Sequence, residues 1–352
     1  MSNAAERASP GRGFGSDNHA GVHPDVLAAV AAANQGHAGA YGADPWTERA
    51  EAVFRRHFGA AARAFCVFNG SGANVAAIDA LTGPQEAVIC TDVAHMHVDE
   101  CGAPERVAGT KLLTVAQRAG KLDAGDVARW EARRDDEHQA QPRVVSITQS
   151  TELGTVYTVD ETRAIADAAH ALGMYLHDDG ARLANAAAAL GLPLAALTTE
   201  AGVDAVSFGG TKNGLLGGDA VVFCRPELGE RFAFTRKQLL QLASKMRFVS
   251  AQFEALLDGE LWLANARHAN AMAVRLAAAV DPLDGVEISH PVEANAVFAR
   301  LPRPAIDELL REHRFYVWNE QADEVRWMCA WDTAPEDVDG FAAAVAAAVG
   351  PT

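Results

Sequence analysis

Short β-branched and apolar runs alternate with Ala- and Leu-rich stretches of helical period, and this alternation leaves the chain few architectures. The runs are Phe65 to Phe68, Ala87 to Cys90, Arg143 to Thr148, Met174 to His177, Ala205 to Phe208 and Ala220 to Phe223. Repeated βα units predict an α/β fold, a mainly parallel sheet covered by helices. Ligands in such sheets gather at the carboxyl ends of the strands, and the polar clusters of this sequence fall at those ends. From about Ala255 the pattern changes, and ALLDGELWLANARHANAMAVRLAAAV reads as one long helical stretch. Beyond it, β runs at Val286 to Ser289, Ala296 to Leu301 and Val325 to Ala330 interleave with helical Ile306 to Glu312 and Val338 to Val349. At 352 residues the chain suits one large domain and a smaller one. The expected division is a flexible lead-in over residues 1–12, a large domain over 13–254 and a small α+β domain over 255–352. Residues Asp135 to Gln141 read as a loop before a strand.

A formal charge of −16 repels phosphates at long range. It argues against a nucleic-acid or anionic-membrane partner and for a small-molecule substrate. The five cysteines, Cys66, Cys90, Cys101, Cys224 and Cys329, are odd in number and lack C-x-x-C spacing. Neither a disulfide framework nor a zinc cluster is expected from them, and reduced thiols in a cytoplasm are. The opening MSNAAERASPGRG has no apolar signal-peptide core, and no later apolar run is long enough to span a bilayer.

The strongest chemical signal is SFGGTKNG, Ser207 to Gly214, where an apolar strand runs into glycines that bracket a single lysine. Most lysines end in solvated loops. Here the glycines allow close backbone approach, and Lys212 can be desolvated until its amine attacks an aldehyde. A second cluster agrees: HDDGAR, His177 to Arg182, closes the strand before a helix. Pyridoxal 5′-phosphate (PLP) is an electron sink only while its ring nitrogen is protonated, and a carboxylate beside that nitrogen keeps it so. Asp179 is the candidate carboxylate. It precedes Lys212 by 33 residues (212 − 179), one βα step, so that adjacent strands can present both to one ring. Taken alone, Asp179 and Arg182 read equally well as a helix-start acid and a solvated arginine.

A third cluster, FNGSGANVAAI, ends a strand in Gly70, Ser71 and Gly72 and opens a helix at Ala73; the backbone N–H groups and the Ser71 hydroxyl form a phosphate cradle. It lacks the G-x-G-x-x-G of a dinucleotide site. In the fourth, TDVAHMHVDECGA, His95 is suited to lie on a cofactor ring. His95 and His97 would share a face on a strand and, with Asp92, Asp99 and Glu100, imitate the H-x-H pair of a metal-dependent hydrolase, which is the rival reading. A metal site would leave Lys212 and the Gly-Ser-Gly turn without a role, so no metal is expected.

Taken in order, SDNHAGVHP, AYGADPWTERA, NGSGAN, AHMHVDECGAPE, TQSTELGTVY, HDDGARLANA, SFGGTKNG, LASKMRF and VRWMCAWDT span nearly the whole chain. The set resembles the low-specificity L-threonine aldolases of the beta-eliminating lyase/threonine aldolase superfamily, and within them the bacterial subgroup that includes phenylserine aldolases. The resemblance implies fold type I, with a seven-stranded sheet in the large domain. It also implies PLP as cofactor and a homo-oligomer, dimer or tetramer, with shared active sites. By the same resemblance, Lys212 forms the Schiff base, Asp179 pairs with the pyridine nitrogen and His95 stacks on the ring. Gly70 and Ser71 hold the phosphate, with Arg247 reaching it from a neighbouring subunit. Ser16, Arg182 and Arg326 hold the substrate carboxylate, and Tyr41 lines the neighbouring subunit's site. The implied reaction cleaves L-threonine, L-allo-threonine and related β-hydroxy-α-amino acids to glycine and an aldehyde, with His95, or a water it orients, taking the β-hydroxyl proton. An L-phenylserine aldolase, another β-eliminating lyase or an aminotransferase would use the same Lys212. The sequence departs from the family pattern twice. Asp178 stands where an apolar residue is usual, a negative charge expected to disturb the ring pocket. Ser150, Thr151 and Glu152 stand where many members carry a histidine.

Overall fold

The structure, a computed structural model, describes residues 11–350. Most of the expected lead-in, residues 1–10, lies outside the described residues. The larger sheet holds β1 (Arg63–Val67), β2 (Glu86–Thr91), β3 (Lys111–Val115), β4 (Gln141–Thr148), β5 (Tyr175–Gly180), β6 (Ala205–Gly209) and β7 (Asp219–Phe223), in the order β1-β7-β6-β5-β4-β2-β3. Strands β3, β2, β4, β5 and β6 run parallel, while β7 is antiparallel to both its neighbours. This is the mainly parallel seven-stranded sheet that the βα alternation and the resemblance led us to expect. Helices cover both faces, so β6 and β7 are buried at every residue and read in the sequence as mainly apolar runs, with Ser207 and Asp219 as their polar members. β3 escaped the reading because it is an edge strand whose Lys111 and Thr114 face solvent.

Four early helices are α1 (Pro24–Ala33), α2 (Pro45–Phe58), α3 (Gly70–Leu81) and α4 (His95–Val98). α3 starts at Gly70, not at Ala73 as the sequence suggested. The side chain of Asn69 caps it by accepting the N–H of Gly72 at 2.7 Å, which offsets the poor helix propensity of the glycines. The long stretch expected from Ala255 is two helices, Arg247–Leu257 and Leu261–Val280, parted at Asp258-Gly259-Glu260.

A second sheet holds β8 (Glu287–Ile288), β9 (Ala296–Arg300), β10 (Tyr316–Asn319) and β11 (Glu324–Met328), in the order β10-β11-β9-β8. Its core packs Phe315, Trp327 and Phe341 against the C-terminal half of the helix Leu261–Val280. Phe14, far away in sequence, joins this core and stacks on Phe341 with ring centroids 4.5 Å apart. The backbone follows: Phe14 N–H donates to Arg314 O at 2.7 Å and Met328 N–H to Phe14 O at 2.8 Å. Arg12 pairs with Asp332 and Asp337. The segment 11–16 is thereby threaded along the second sheet and delivers Ser16 to the carboxyl edge of the first. Among the described residues no helix is long and apolar enough to cross a membrane, and all five cysteines are free.

Candidate active site

Register brings the chemistry together. Thr148, Asp179 and Ser207 are neighbours across β4, β5 and β6 at the carboxyl ends of these strands. A cleft opens above them with two adjoining lobes of about 370 and 190 Å³; Asp179, His95, Ser71 and Lys212 line both.

In the larger lobe, Lys212 follows β6 through Gly209 and Gly210. A Cβ at Gly209 would lie 2.4 Å from the Ala181 carbonyl oxygen, so only glycine lets the two strand ends approach this closely. Burial and the nearby Arg182 hold the Lys212 amine below its ordinary pKa. Asp179 is 4 % exposed and is oriented on both oxygens, accepting from Asn74 Nδ2 at 2.8 Å and from the Ala181 N–H at 3.2 Å. Gly70 and Ser71 line the lobe at the start of α3. Gly72 does not; its N–H is taken by Asn69, and a Cβ there would meet the Gln241 side chain at 2.5 Å. Of the three-residue turn expected to cradle a phosphate, only Gly70 and Ser71 line the cleft.

His95 begins the helix α4, not a strand, and His97 is exposed and outside the cleft. The expected shared face does not exist. His95, Glu100 and Asp179 do converge, with ligand atoms within 4.8 Å of one another. They bond to one another and to one amide: His95 Nδ1 bonds Glu100 Oε1 at 2.9 Å, and Asn74 Nδ2 donates to Glu100 at 2.9 Å and to Asp179 at 2.8 Å, while Glu100 Oε2 and Asn74 Oδ1 are buried without a partner. The bond to Glu100 pushes the His95 imidazole above its ordinary pKa, and the charge of Asp179 adds to it.

The smaller lobe gathers Ser16, Arg182, Arg326, Trp318, Thr148 and Glu152. Arg182 presents Nε and Nη2 to Asp17, at 2.7 and 2.9 Å, so that one edge of its fork is spent within the protein. Burial works to raise the Asp17 carboxyl, but the guanidinium beside it wins and holds it at about 2. Arg326 lies over the Trp318 ring, 4.9 Å from its centroid, and donates from Nη2 to Gly15 O at 3.2 Å. Burial and the proximity of Arg182 bring it down to about 10. Its Nε is buried without a partner.

One further expectation meets the structure differently. Asp178 points away from Asp179 to the other face of β5 and lines neither lobe. Burial, with Asp179 adjacent, pushes its carboxyl well above the ordinary value, against the negative charge expected at the ring pocket. Tyr41 and Arg247 are not at this chain's cleft. They share one outer face, where Tyr41 N–H donates to Ser244 O at 2.9 Å and Arg247 Nη1 donates to Gly36 O at 3.2 Å. The reading assigned no role to Asn74, Asp17 or Trp318. Asn74 carried a signal, lying five residues beyond Asn69 in NGSGAN; Asp17 and Trp318 carried none.

A family model described as beta-eliminating lyase matches residues 13–303. A low specificity L-threonine aldolase of a Pseudomonas species is 45% identical over 336 residues, covering 95% of this chain and 97% of that protein. The protein of the same name from Pseudomonas aeruginosa is 46% identical over 327 residues, covering 92% and 94%. Among solved structures, a threonine aldolase of Leishmania major superposes with a TM-score of 0.90 at 28% identity, covering 96% of this chain and 99% of that one.

Proposed function

The chain belongs to the beta-eliminating lyase family, and from that membership we propose that it is a PLP-dependent aldolase. Its reaction would be the cleavage of L-threonine, L-allo-threonine and related β-hydroxy-α-amino acids to glycine and an aldehyde. The relatives named low specificity L-threonine aldolase support the reaction class. The observation that carries the reading is a single cleft lined at once by Lys212, Asp179, Arg182 and Arg326.

The donor set suits the cofactor group by group. Lys212, with its lowered pKa, is the amine for the aldehyde. Asp179, fixed by Asn74 and the Ala181 N–H, is the carboxylate that would keep a proton on the pyridine nitrogen. The open start of α3 at Gly70, with the Ser71 hydroxyl, would hold the phosphate. When bound, PLP supplies an electron sink for the pair released at the substrate's Cα. Ser16, Arg182 and Arg326 would grip the substrate carboxylate, and the unpartnered Nε of Arg326 is the donor a carboxylate would satisfy. These groups act on what all α-amino acids share. The β-substituent meets no comparable grip, and a pocket without directed hydrogen bonds discriminates weakly, by roughly 1–3 kcal/mol per methylene. Aryl substrates such as L-phenylserine fit the same argument.

We further propose a homo-oligomer with shared sites, supported by Tyr41, 51 % exposed, lying on one outer face with Arg247.

Holoenzyme should form glycine and acetaldehyde from L-threonine, with comparable kcat/KM for L-threonine, L-allo-threonine and L-phenylserine and none for the D-forms. Lys212→Ala should abolish steady turnover and the borohydride-reducible cofactor link. A 2-oxo acid in place of acetaldehyde would mark an eliminating or aminotransferring enzyme, and confinement to one L-diastereomer would contradict weak discrimination at Cβ.

A further inference from the structure

Glu152 takes no part in holding the cofactor or the substrate carboxylate, yet it lines the lobe that contains Arg182, Arg326 and Lys212. Its Oε1 accepts from the His95 backbone N–H at 2.9 Å and from the Thr148 hydroxyl at 2.7 Å, which fixes the plane of the carboxyl. Its Oε2 has no partner in the protein and is shut off from bulk water. Glu100 Oε2 and Asp178 Oδ1 are also buried without a partner, but Glu100 is bound to His95 and Asn74, and Asp178 lines neither lobe, whereas Glu152 stands in the lobe with no other task. We propose that Glu152, not the His95 imidazole, is the catalytic base that accepts the proton of the substrate's β-hydroxyl, an assignment that rests on the aldolase reading above.

His95 is poorly suited to that task. Its Nδ1 is tied to Glu100, and the same bond raises the imidazole above its ordinary pKa. Glu152 is suited. Burial raises its carboxyl to about 7 against the opposing hydrogen bonds from Thr148 and the His95 N–H, and Asp179 across from it pushes in the same direction as burial. A base poised near the working pH combines availability with driving force. The cationic groups facing it are Arg182, Arg326, Lys212 and the His95 ring, while Cys90 and Tyr157 lie near enough for its charge to raise their own pKa. In the step itself the hydroxyl proton passes to the Glu152 carboxylate and the C–O bond becomes the C=O of the aldehyde. The Cα–Cβ pair stays with Cα, and one proton returned to that carbon completes glycine.

The test separates the two chemistries of the cleft. Glycine has no β-hydroxyl, so exchange of its α-proton with solvent needs no base at Cβ. In Glu152→Gln, kcat for L-threonine should fall about 100-fold or more, with KM little changed, the rising limb of the pH profile near 7 lost, and glycine exchange retained. Glu152→Asp should keep a reduced rate and the limb. Independently of turnover, infrared difference spectra of the wild type across neutral pH should show a carboxyl deprotonating near 7 that is missing from Glu152→Gln. Wild-type-like cleavage with the limb intact in Glu152→Gln would overturn the assignment, as would equal loss of cleavage and exchange. Absence of acetaldehyde from the wild-type holoenzyme would instead refute the aldolase reading itself.

Discussion

Three consecutive residues in β5 meet three different fates. His177 is fully buried between the Ser146 and Ser207 hydroxyls, each 2.9 Å away, and burial lowers it to about 4, so it is a neutral strut. Asp178 faces the opposite side with its carboxyl pushed well above the ordinary pKa by burial, and Asp179 faces the cleft. Strand alternation makes the division, and it yields a paired prediction. Asp179→Asn should bind the cofactor and lose about 100-fold or more in kcat, whereas Asp178→Asn should stay near wild type. Asp178 also predicts a pH effect on stability. Its folded pKa is raised, so its stabilising contribution is complete below the unfolded value of about 3.9 and is lost as pH rises towards the folded value. An amide at this position cannot ionise. The melting temperature of Asp178→Asn relative to wild type should therefore climb between pH 4 and pH 8, and a constant gap would contradict the account.

Among the elements, α3 does most for the cleft, since one helix lines it with Gly70 and Ser71, the proposed phosphate end, and orients Asp179 through Asn74. Its start depends on Asn69. Asn69→Ala should cost about 1 kcal/mol of stability and weaken cofactor binding, as read by melting of the apoprotein and by cofactor titration. Loss of stability with unchanged cofactor affinity would show that the helix start does not hold the phosphate. The sequence misplaced this start because glycine is a poor helix former, and the cap that overrides it is one hydrogen bond. Edge strand β3 escaped for the same kind of reason, its exposed Lys111 and Thr114 hiding a strand made by pairing with β2.

At the scale of the whole molecule, the proposed oligomer predicts that activity and assembly fall together on dilution, because Tyr41 and Arg247 lie outside their own chain's cleft. A fully active monomer in dilute sedimentation would contradict it. Local order was legible in the sequence. The period of apolar residues marked the buried strands of the larger sheet, the Gly-bracketed Lys212 and Asp179 fell at adjacent strand ends, and Gly70-Ser71 fell at a helix start. Each of these depends on residues near in sequence, or on strands whose parallel register follows from the βα repeat. Other features depend on contacts that no local pattern encodes. Phe14 stacking on Phe341 carries Ser16 to the cleft, Asp17 takes half of the Arg182 fork, and Arg326 comes from β11 of the second sheet. Burial and neighbouring groups, which are properties of the packed molecule, raised the Asp178 carboxyl and the His95 imidazole above their ordinary values, and packing left one oxygen of Glu152 without a partner. The sequence thus determined which residue types meet at the strand ends, while the tertiary structure decided their protonation and their partners, because desolvation and Coulomb interactions act through space and not along the chain.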